Sequence, residues 1–382
     1  MTSELVDRVR QRLVVTPGDL GEAIRIEAGG IVDEAVLAEL RAEISAQLIG
    51  LGPLEPLFAL PGLTDVLVNG PSSVWVDRGA GLELTDVRFP DSAAVRSLGQ
   101  RLVMAVGRRL DDAAPFADAV LVDGTRVHAV LPPLAREPTL SLRVFSHHAQ
   151  RLDDLIGTGA IPSDVADVLR AIVSARLAFV ITGGTGAGKT TLLAAMLAEV
   201  PPDERIVLVE DTAELAVGHP HVVGLVTRPA NVEGAGAIGL RDLVRQSLRM
   251  RPDRLVVGEF RGAEMVELLV AMNTGHDGGA ATMHANAASA VGERLVALGG
   301  LAGLSRSAVV GLAGSALHVV VHLRHDSGRR TVSEIAVLSR VDESLIASTA
   351  WSAAAGAGPA APQLVRWLLE RGVSAPAVLR WA

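Results

Sequence analysis

The sequence predicts an α/β protein: an N-terminal helical segment and a mixed α/β domain, followed by a domain with a mostly parallel sheet. Three features lead there. From Leu152 onward, short apolar strands alternate with helical segments, the pattern that builds parallel sheets through crossover connections. A glycine-rich loop, Gly183 to Thr191, stands between one such strand and one such helix. The 382 residues, 49% hydrophobic and 20% charged, are enough for two cores and too apolar for a disordered chain.

Composition excludes several classes of function. With no cysteine there are no disulfides and no cysteine-ligated zinc or iron–sulfur cluster, and a reducing cytoplasm is the expected setting. Met1-Thr2-Ser3-Glu4-Leu5-Val6-Asp7 has neither a basic nor an apolar signal region, so no signal peptide is expected. The longest apolar stretch, 308–321, is broken by Gly311, Ser315 and His318 and falls short of the roughly 20 residues of a membrane span. It predicts a buried helix running into a strand. A net charge of −8 and 3% aromatics without tyrosine leave no broad nucleic-acid footprint, although a local basic groove stays open.

In chain order, residues 1–49 read as helices. Val6, Val9 and Leu13, then Ile31, Val36, Leu37, Leu40, Ile44 and Leu48, recur at three- and four-residue spacing. Residues 50–147 read as the mixed domain. It opens on the proline-punctuated Gly50 to Leu57, followed by strands at 64–69 and 74–77 and a helix at 93–106. Strands at 119–121 and 126–131 are joined by Asp123-Gly124, and a last strand spans 140–145. His147, His148 and Gln150 fall in a linker.

Residues 148–340 read as the second domain. Helices are expected at 165–175, from 191, and at 240–249, 263–272 and 291–298, with strands at 177–182, 205–209, 254–257 and 280–283 between them. An antiparallel pair, 316–323 and 331–338, turns at Asp326-Ser327-Gly328. In 341–382, the Ala/Gly/Pro-rich stretch 353–362 reads as a linker ahead of a short helix, 363–371, closed by Gly372.

The chemistry centres on Gly183-Gly184-Thr185-Gly186-Ala187-Gly188-Lys189-Thr190-Thr191, which fits G-x-x-x-x-G-K-[ST] in a strand–loop–helix setting. Such glycines let backbone N–H groups cradle phosphate, the helix N-terminus adds partial positive charge, and the Thr190 hydroxyl is a ligand for Mg²⁺. Lys189 is the only lysine among 35 basic residues. An ammonium on a flexible stem suits the β- and γ-phosphates, where a planar guanidinium would not serve the same way. A guanine-reading N-K-x-D motif needs a second lysine, so the nucleotide expected is ATP.

Hydrolysis also needs carboxylates at the ends of neighbouring strands. Ile206-Val207-Leu208-Val209 runs into Glu210-Asp211, with Glu214 beyond, and Leu255-Val256-Val257 runs through Gly258 into Glu259. Between them Arg241, Arg245 and Arg249 share a helix face, with Arg251 and Arg254 after it; most of these read as a solvated or interface-facing stripe. His276, between glycines, and His284, after a strand, are either γ-phosphate sensors or ordinary turn and core residues.

Taken together, these motifs resemble the secretion-ATPase superfamily of bacterial type II and type IV secretion systems and pili, and most of all the tight-adherence (Tad/Flp) pilus ATPases of CpaF type. Gly50 to Leu57 and Val66-Leu67-Val68-Asn69-Gly70-Pro71 resemble the family's N-terminal domain. Asp123 to Val130 and Ser141-Leu142-Arg143-Val144-Phe145 resemble its arginine-bearing strands. Glu210 to Leu215 resembles its acidic box, Gly258-Glu259-Phe260-Arg261-Gly262 its Walker B strand end, and Thr274 to His284 its histidine box.

The resemblance implies a RecA-like P-loop domain and a homo-hexameric motor working with an inner-membrane platform protein, peripheral to the inner face of the membrane. Direct nucleic-acid contact is not expected. By resemblance, residues 183–191 bind the nucleotide, and Thr190 and Glu259 serve Mg²⁺, partly through water. Glu259 and Glu210 activate water, His276 and His284 sense the nucleotide, and Arg126 and Arg143 supply charge across its cleft. The main expectation is Tad/Flp-type pilus assembly or secretion; a type IV secretion ATPase is the alternative, and a non-hydrolysing nucleotide-binding scaffold the reading from another class. The pair Ala280-Ala281 departs mildly from the family's pattern, and no counterpart in it is expected for the tail beyond about 340.

Overall fold

The computed structural model describes residues 50–79, 81–121, 123–144, 150–228, 235–326 and 329–380. The helices expected over 1–49, the histidines of the linker and the tip of the turn at 327–328 lie outside them. The chain divides into two compact units between Ser146 and His147.

In the first unit a six-stranded sheet runs β3-β2-β1-β6-β5-β4. Its strands are β1 (Asp65–Asn69), β2 (Val74–Asp77), β3 (Leu82–Leu84), β4 (Phe116–Val120), β5 (Arg126–Val130) and β6 (Thr139–Arg143), all antiparallel to their neighbours. Period-2 alternation puts Val66, Val68, Val127, Ala129, Leu140 and Leu142 on one face. There they pack with Val95, Leu98, Leu102 and Val103 of helix α1 (Ser92–Met104). Asp91 caps that helix by accepting the Ala94 N–H at 2.8 Å, a contribution of about 1 kcal/mol. Strand β3 is exposed at all three residues and so carried no alternation to read.

The second unit is a sheet between two helical layers. Its strands are β7 (Phe179–Gly183), β8 (Ile206–Glu210), β9 (Val222–Val226), β10 (Arg254–Val257), β11 (Ala280–His284), β12 (Val319–Asp326), β13 (Arg329–Val341), β14 (Ser344–Ser352) and β15 (Gly356–Ala357). They lie in the order β15-β14-β13-β12-β7-β11-β10-β8-β9. From β12 to β9 every pairing is parallel, and β13, β14 and β15 extend the sheet antiparallel.

Strands buried on both faces read as continuous apolar runs, as β7 and β8 do. Phe179, Ile181, Ile206 and Leu208 face a core shared with α2 (Leu152–Gly157), α3 (Ser163–Ser174) and α4 (Lys189–Leu197). Val180, Val207, Val209 and Val257 face the opposite core, shared with α5 (Leu240–Ser247), α6 (Glu264–Met272), α7 (Val291–Leu301) and α8 (Arg306–Ala316).

The reading of 341–382 as a linker and separate helix is corrected. Strand β14 pairs with β13 along its length, and α9 (Ala361–Glu370) sends Leu364 and Leu368 into the core with Phe179. Small residues suggested a linker, yet Gly358, Ala360 and Ala361 are buried, and a Cβ on Gly358 would meet the Thr349 carbonyl oxygen at 2.4 Å, so close packing selects small residues here. Strand β9 also escaped the sequence, as a half-exposed edge strand interrupted by Gly224.

Candidate functional site

Parallel pairing places the ends of four strands side by side. Gly183 of β7 is level with His284 of β11, and β10 and β8 run alongside, so the loop 183–191, Glu210, Gly258-Glu259 and His284 all emerge at the same sheet edge. Gly188 is the N-cap of α4 with φ +91°, a left-handed conformation that a side chain rarely adopts, and it turns the chain into the helix that Lys189 begins. Thr190 and Thr191 follow in the first turn, both half-buried.

Lys189 is buried, and its three donors have distinct destinations. Nζ donates to the Gly183 carbonyl at 3.1 Å and the Gly184 carbonyl at 2.8 Å, and faces Nδ1 of His284 at 3.4 Å. Burial lowers its pKa, opposed by the nearby Glu259 charge. The other nitrogen of His284, Nε2, lies 3.0 Å from Oε1 of Glu259. Facing an ammonium on one side and a carboxylate on the other, the ring is assigned as the neutral Nε2–H tautomer, accepting at Nδ1 and donating at Nε2. Its pKa is lowered, first by burial and then by the Lys189 charge, in keeping with that assignment.

Oε2 of Glu259 accepts from Nε and a terminal nitrogen of Arg261 at 3.0 and 2.7 Å. Arg261 in turn reaches Oδ2 of Asp211 at 3.7 Å. Lysine, histidine, glutamate, arginine and aspartate thus form one chain of alternating partners beside the phosphate loop. Arg261 lay inside a quoted motif without a role; an arginine two residues after the strand-end acid was the available signal. Buried Glu264 accepts the Arg261 and Gly262 N–H groups at 2.6 and 2.7 Å, which fixes the turn that aims Arg261. The Thr282 hydroxyl donates to the Gly258 carbonyl at 2.6 Å and ties β11 to the segment bearing Glu259.

Glu210 sits differently. It is buried, and its Oε1 accepts the N–H groups of Glu214 and Leu215 at 3.1 and 3.0 Å, anchoring the acidic segment to the strand. His276 is not brought to this edge. It precedes β11, whereas the phosphate loop follows β7 and β11 runs parallel to β7, so the two histidines flank opposite ends of one strand. Of the two histidines expected to sense the nucleotide, only His284 therefore stands beside the phosphate loop. Nδ1 of His276 lies 3.2 Å from the Ala271 carbonyl, closing the end of α6. Arg126 and Arg143 belong to the first unit, where they stand opposite each other on β5 and β6, and Nε of Arg143 donates to Asp65 at 3.1 Å.

Arg254 also needs correction, since it is fully buried rather than part of a solvated stripe. Arg241 and Arg245 are exposed and converge on Glu267 at 2.7 and 2.8 Å.

The arrangement suits a nucleoside triphosphate with Mg²⁺. Gly188 presents the turn that opens α4, and Lys189 is the cation beside it. Among the described residues no cluster of three or more histidine or acidic side chains is placed to hold a metal. Magnesium needs no such cluster, because one or two protein oxygens, phosphate oxygens and water suffice, and Thr190 and Glu259 are the protein groups at hand.

Residues 47–369 match the family described as type II/IV secretion system protein. The chain belongs to that family. A putative conjugal transfer protein of Mycobacterium tuberculosis is 54% identical over 332 residues, 85% of this chain and 94% of the relative. The type IV secretion system protein VirB11 of Brucella suis is 30% identical, over 75% of this chain and 88% of its own. Among solved structures, the Legionella pneumophila ATPase DotB matches 81% of this chain and 82% of its own, with a TM-score of 0.51 at 19% identity. The pilus retraction motor PilT with bound ADP matches 78% and 81%, with a TM-score of 0.51 at 17% identity. These two likenesses establish the fold, and the family's members are secretion ATPases. Among the described residues no helix is long and apolar enough to cross a membrane.

Proposed function

We propose that the chain is the ATP-hydrolysing motor of a type IV, conjugal-type transfer machine. The observation that carries this reading is the Lys189–His284–Glu259–Arg261 chain at the mouth of the phosphate loop. It supplies a phosphate-binding cation, a carboxylate for water, and a histidine in contact with both. The names of the relatives favour transfer over Tad/Flp pilus assembly, which rests on motif resemblance.

In this reading residues 183–191 hold the triphosphate, and Lys189 neutralises its terminal phosphates. Thr190 and Glu259 hold Mg²⁺, partly through water, and the metal's part is to neutralise charge on the phosphate oxygens. Glu259 orients the attacking water, and Arg261 and His284 fix the direction of its carboxylate. His284 touches both Lys189 and Glu259, so a change at one is passed to the other. Arg126 and Arg143 add positive charge during turnover. The motor is a homo-hexamer, peripheral to the inner face of the membrane, acting on a platform protein there and not directly on nucleic acid.

The deciding experiment is steady-state ATP hydrolysis across a range of protein concentrations, with Lys189→Ala as the blank. A motor completed by assembly gives specific activity that rises with concentration. Glu259→Gln then keeps ATP binding and loses turnover. Equal hydrolysis by Glu259→Gln and the parent would overturn the role of that carboxylate, and no hydrolysis above the blank at any concentration would favour a scaffold.

A further inference from the structure

The sheet edge away from the phosphate loop carries a polar cavity of about 410 Å³, entirely within the second unit. Arg176, Arg205, Arg251 and His221 line it together with Asp203, Glu204 and Asp253. The acids are largely committed. Glu204 accepts from the buried Arg254 at 2.6 Å, and Asp253 uses Oδ2 to accept the Arg205 backbone N–H at 2.8 Å and its carbonyl to accept from Arg176 at 2.9 Å. Asp203 is exposed on the rim. Arg176 also reaches Glu204 at 3.5 Å, and a terminal nitrogen of Arg205 lies 3.1 Å from Nε2 of His221, but Nε of Arg176 and Nε of Arg205 are both buried without a hydrogen-bond partner.

The backbone adds an independent observation. Among the described residues three that are not glycine have positive φ, and two of them, Arg176 at 51° and Arg251 at 53°, line this cavity. A left-handed conformation is unfavourable for a residue with a side chain, and such positions concentrate where geometry serves a ligand. Glycine would fit both turns more easily. The cavity instead has two arginines in strained turns.

We propose that this cavity is a binding site for a small polyanion, recognised through the guanidinium groups of Arg176, Arg205 and Arg251. Guanidinium forks match the oxygens of phosphate and carboxylate groups. The lining holds no Phe, Trp or Tyr, and three of its residues are arginines, so the ligand is recognised chiefly by its charge. The site does not depend on the reaction at the other edge. It does meet the same strands: Arg176 and Arg205 stand just ahead of β7 and β8, and Asp253 just ahead of β10.

The test uses the full chain carrying Lys189→Ala, which disables the phosphate loop, titrated with inorganic pyrophosphate or with citrate by calorimetry. One saturable site is expected. Arg251→Gly should weaken it at least tenfold while leaving the melting temperature unchanged or raised, because glycine relaxes the turn as it removes the guanidinium. Arg205→Gln should weaken it similarly. Tighter binding of pyrophosphate points to a phosphorylated ligand, and tighter binding of citrate to a carboxylate. Either supports the site. Absence of saturable binding by both anions, or affinity untouched by Arg251→Gly and Arg205→Gln, would overturn it.

Discussion

The two ends of the same parallel strands are built on opposite principles. Where β7, β8, β10 and β11 end, the chain places one buried lysine beside a carboxylate and a histidine in partial exposure; Glu259 keeps 20% and His284 44% of its side-chain surface. Where β8 and β10 begin, it places salt bridges in the interior: Arg254, at 1% exposure, reaches Glu204 and the Val173 carbonyl, and Gly278 lies so close that a Cβ there would meet Arg254 at 2.1 Å. The buried charge of Arg254, partnered by Glu204 and the Val173 carbonyl, holds strands in register but has little freedom to respond to a ligand, unlike Arg205 and Arg251 in the cavity beside it. The difference teaches that the buried Arg254–Glu204 pair fixes the sheet at one end, which leaves the charges at the other end of the same strands for chemistry.

The sharpest test of that division is Glu204→Ala. It strands a buried guanidinium, and breaking a buried pair from one side costs about 3–5 kcal/mol. Chemical denaturation should show the loss, while hydrolysis per folded molecule stays within a few-fold of the parent. Replacing both partners by apolar residues, as in Glu204→Leu with Arg254→Met, should recover most of the stability. At the other edge Lys189→Ala should do the reverse, lowering hydrolysis by about 10²–10³-fold with unfolding free energy changed by no more than about 1 kcal/mol. The small stability effect follows because the hydrogen bonds lost to Gly183 and Gly184 are offset by relief of a buried ammonium. If either variant shifted both readouts together, the division would fail.

How much of this was legible in the sequence follows the same divide. The phosphate loop and its strand stood out because one lysine, spaced glycines and an apolar run occur together. The arginine edge did not. Arg176, Arg205 and Arg254 are far apart in the chain and each merely precedes or begins a strand, so only the parallel register assembles them. His276 and His284 looked like one box because spacing along a chain does not show that a five-residue strand separates two histidines to opposite edges. The tail was misread because alanine and glycine serve linkers and tight packing equally, and only the pairing of β14 with β13 distinguishes them.

Glu210 lies between the two principles, being at the chemical edge yet buried and bound to backbone. Glu210→Ala should cost about 1.5–3 kcal/mol, the range for hydrogen bonds to a charged group. The loss should appear as faster amide hydrogen exchange at Glu214 and Leu215. Glu210→Gln keeps an acceptor there and should preserve that protection. If the glutamine variant nonetheless loses turnover, the charge of Glu210 acts on metal or water, as the resemblance implies. If it turns over normally, the residue is an anchor alone.

Acid should produce the smallest effect and still separate the edges, because each has a histidine with a lowered pKa. His284 is lowered by burial and by Lys189, and His318, just ahead of β12, is lowered to about 4 by burial and by Arg371, with Trp367 edge-on at 5.2 Å. A group whose folded pKa lies below its unfolded value of about 6.5 binds protons more readily in the unfolded chain, so stability declines as pH falls below about 6.5. For His318 the decline continues to about pH 4. His318→Gln should therefore flatten the acid limb of the stability curve and leave the pH profile of hydrolysis in place. His284→Gln should alter the acid limb of hydrolysis more than that of stability, since protonating Nδ1 there sets an imidazolium against the Lys189 ammonium. Stability curves and pH–rate profiles on the two single variants would show whether the histidines follow this pattern or exchange roles.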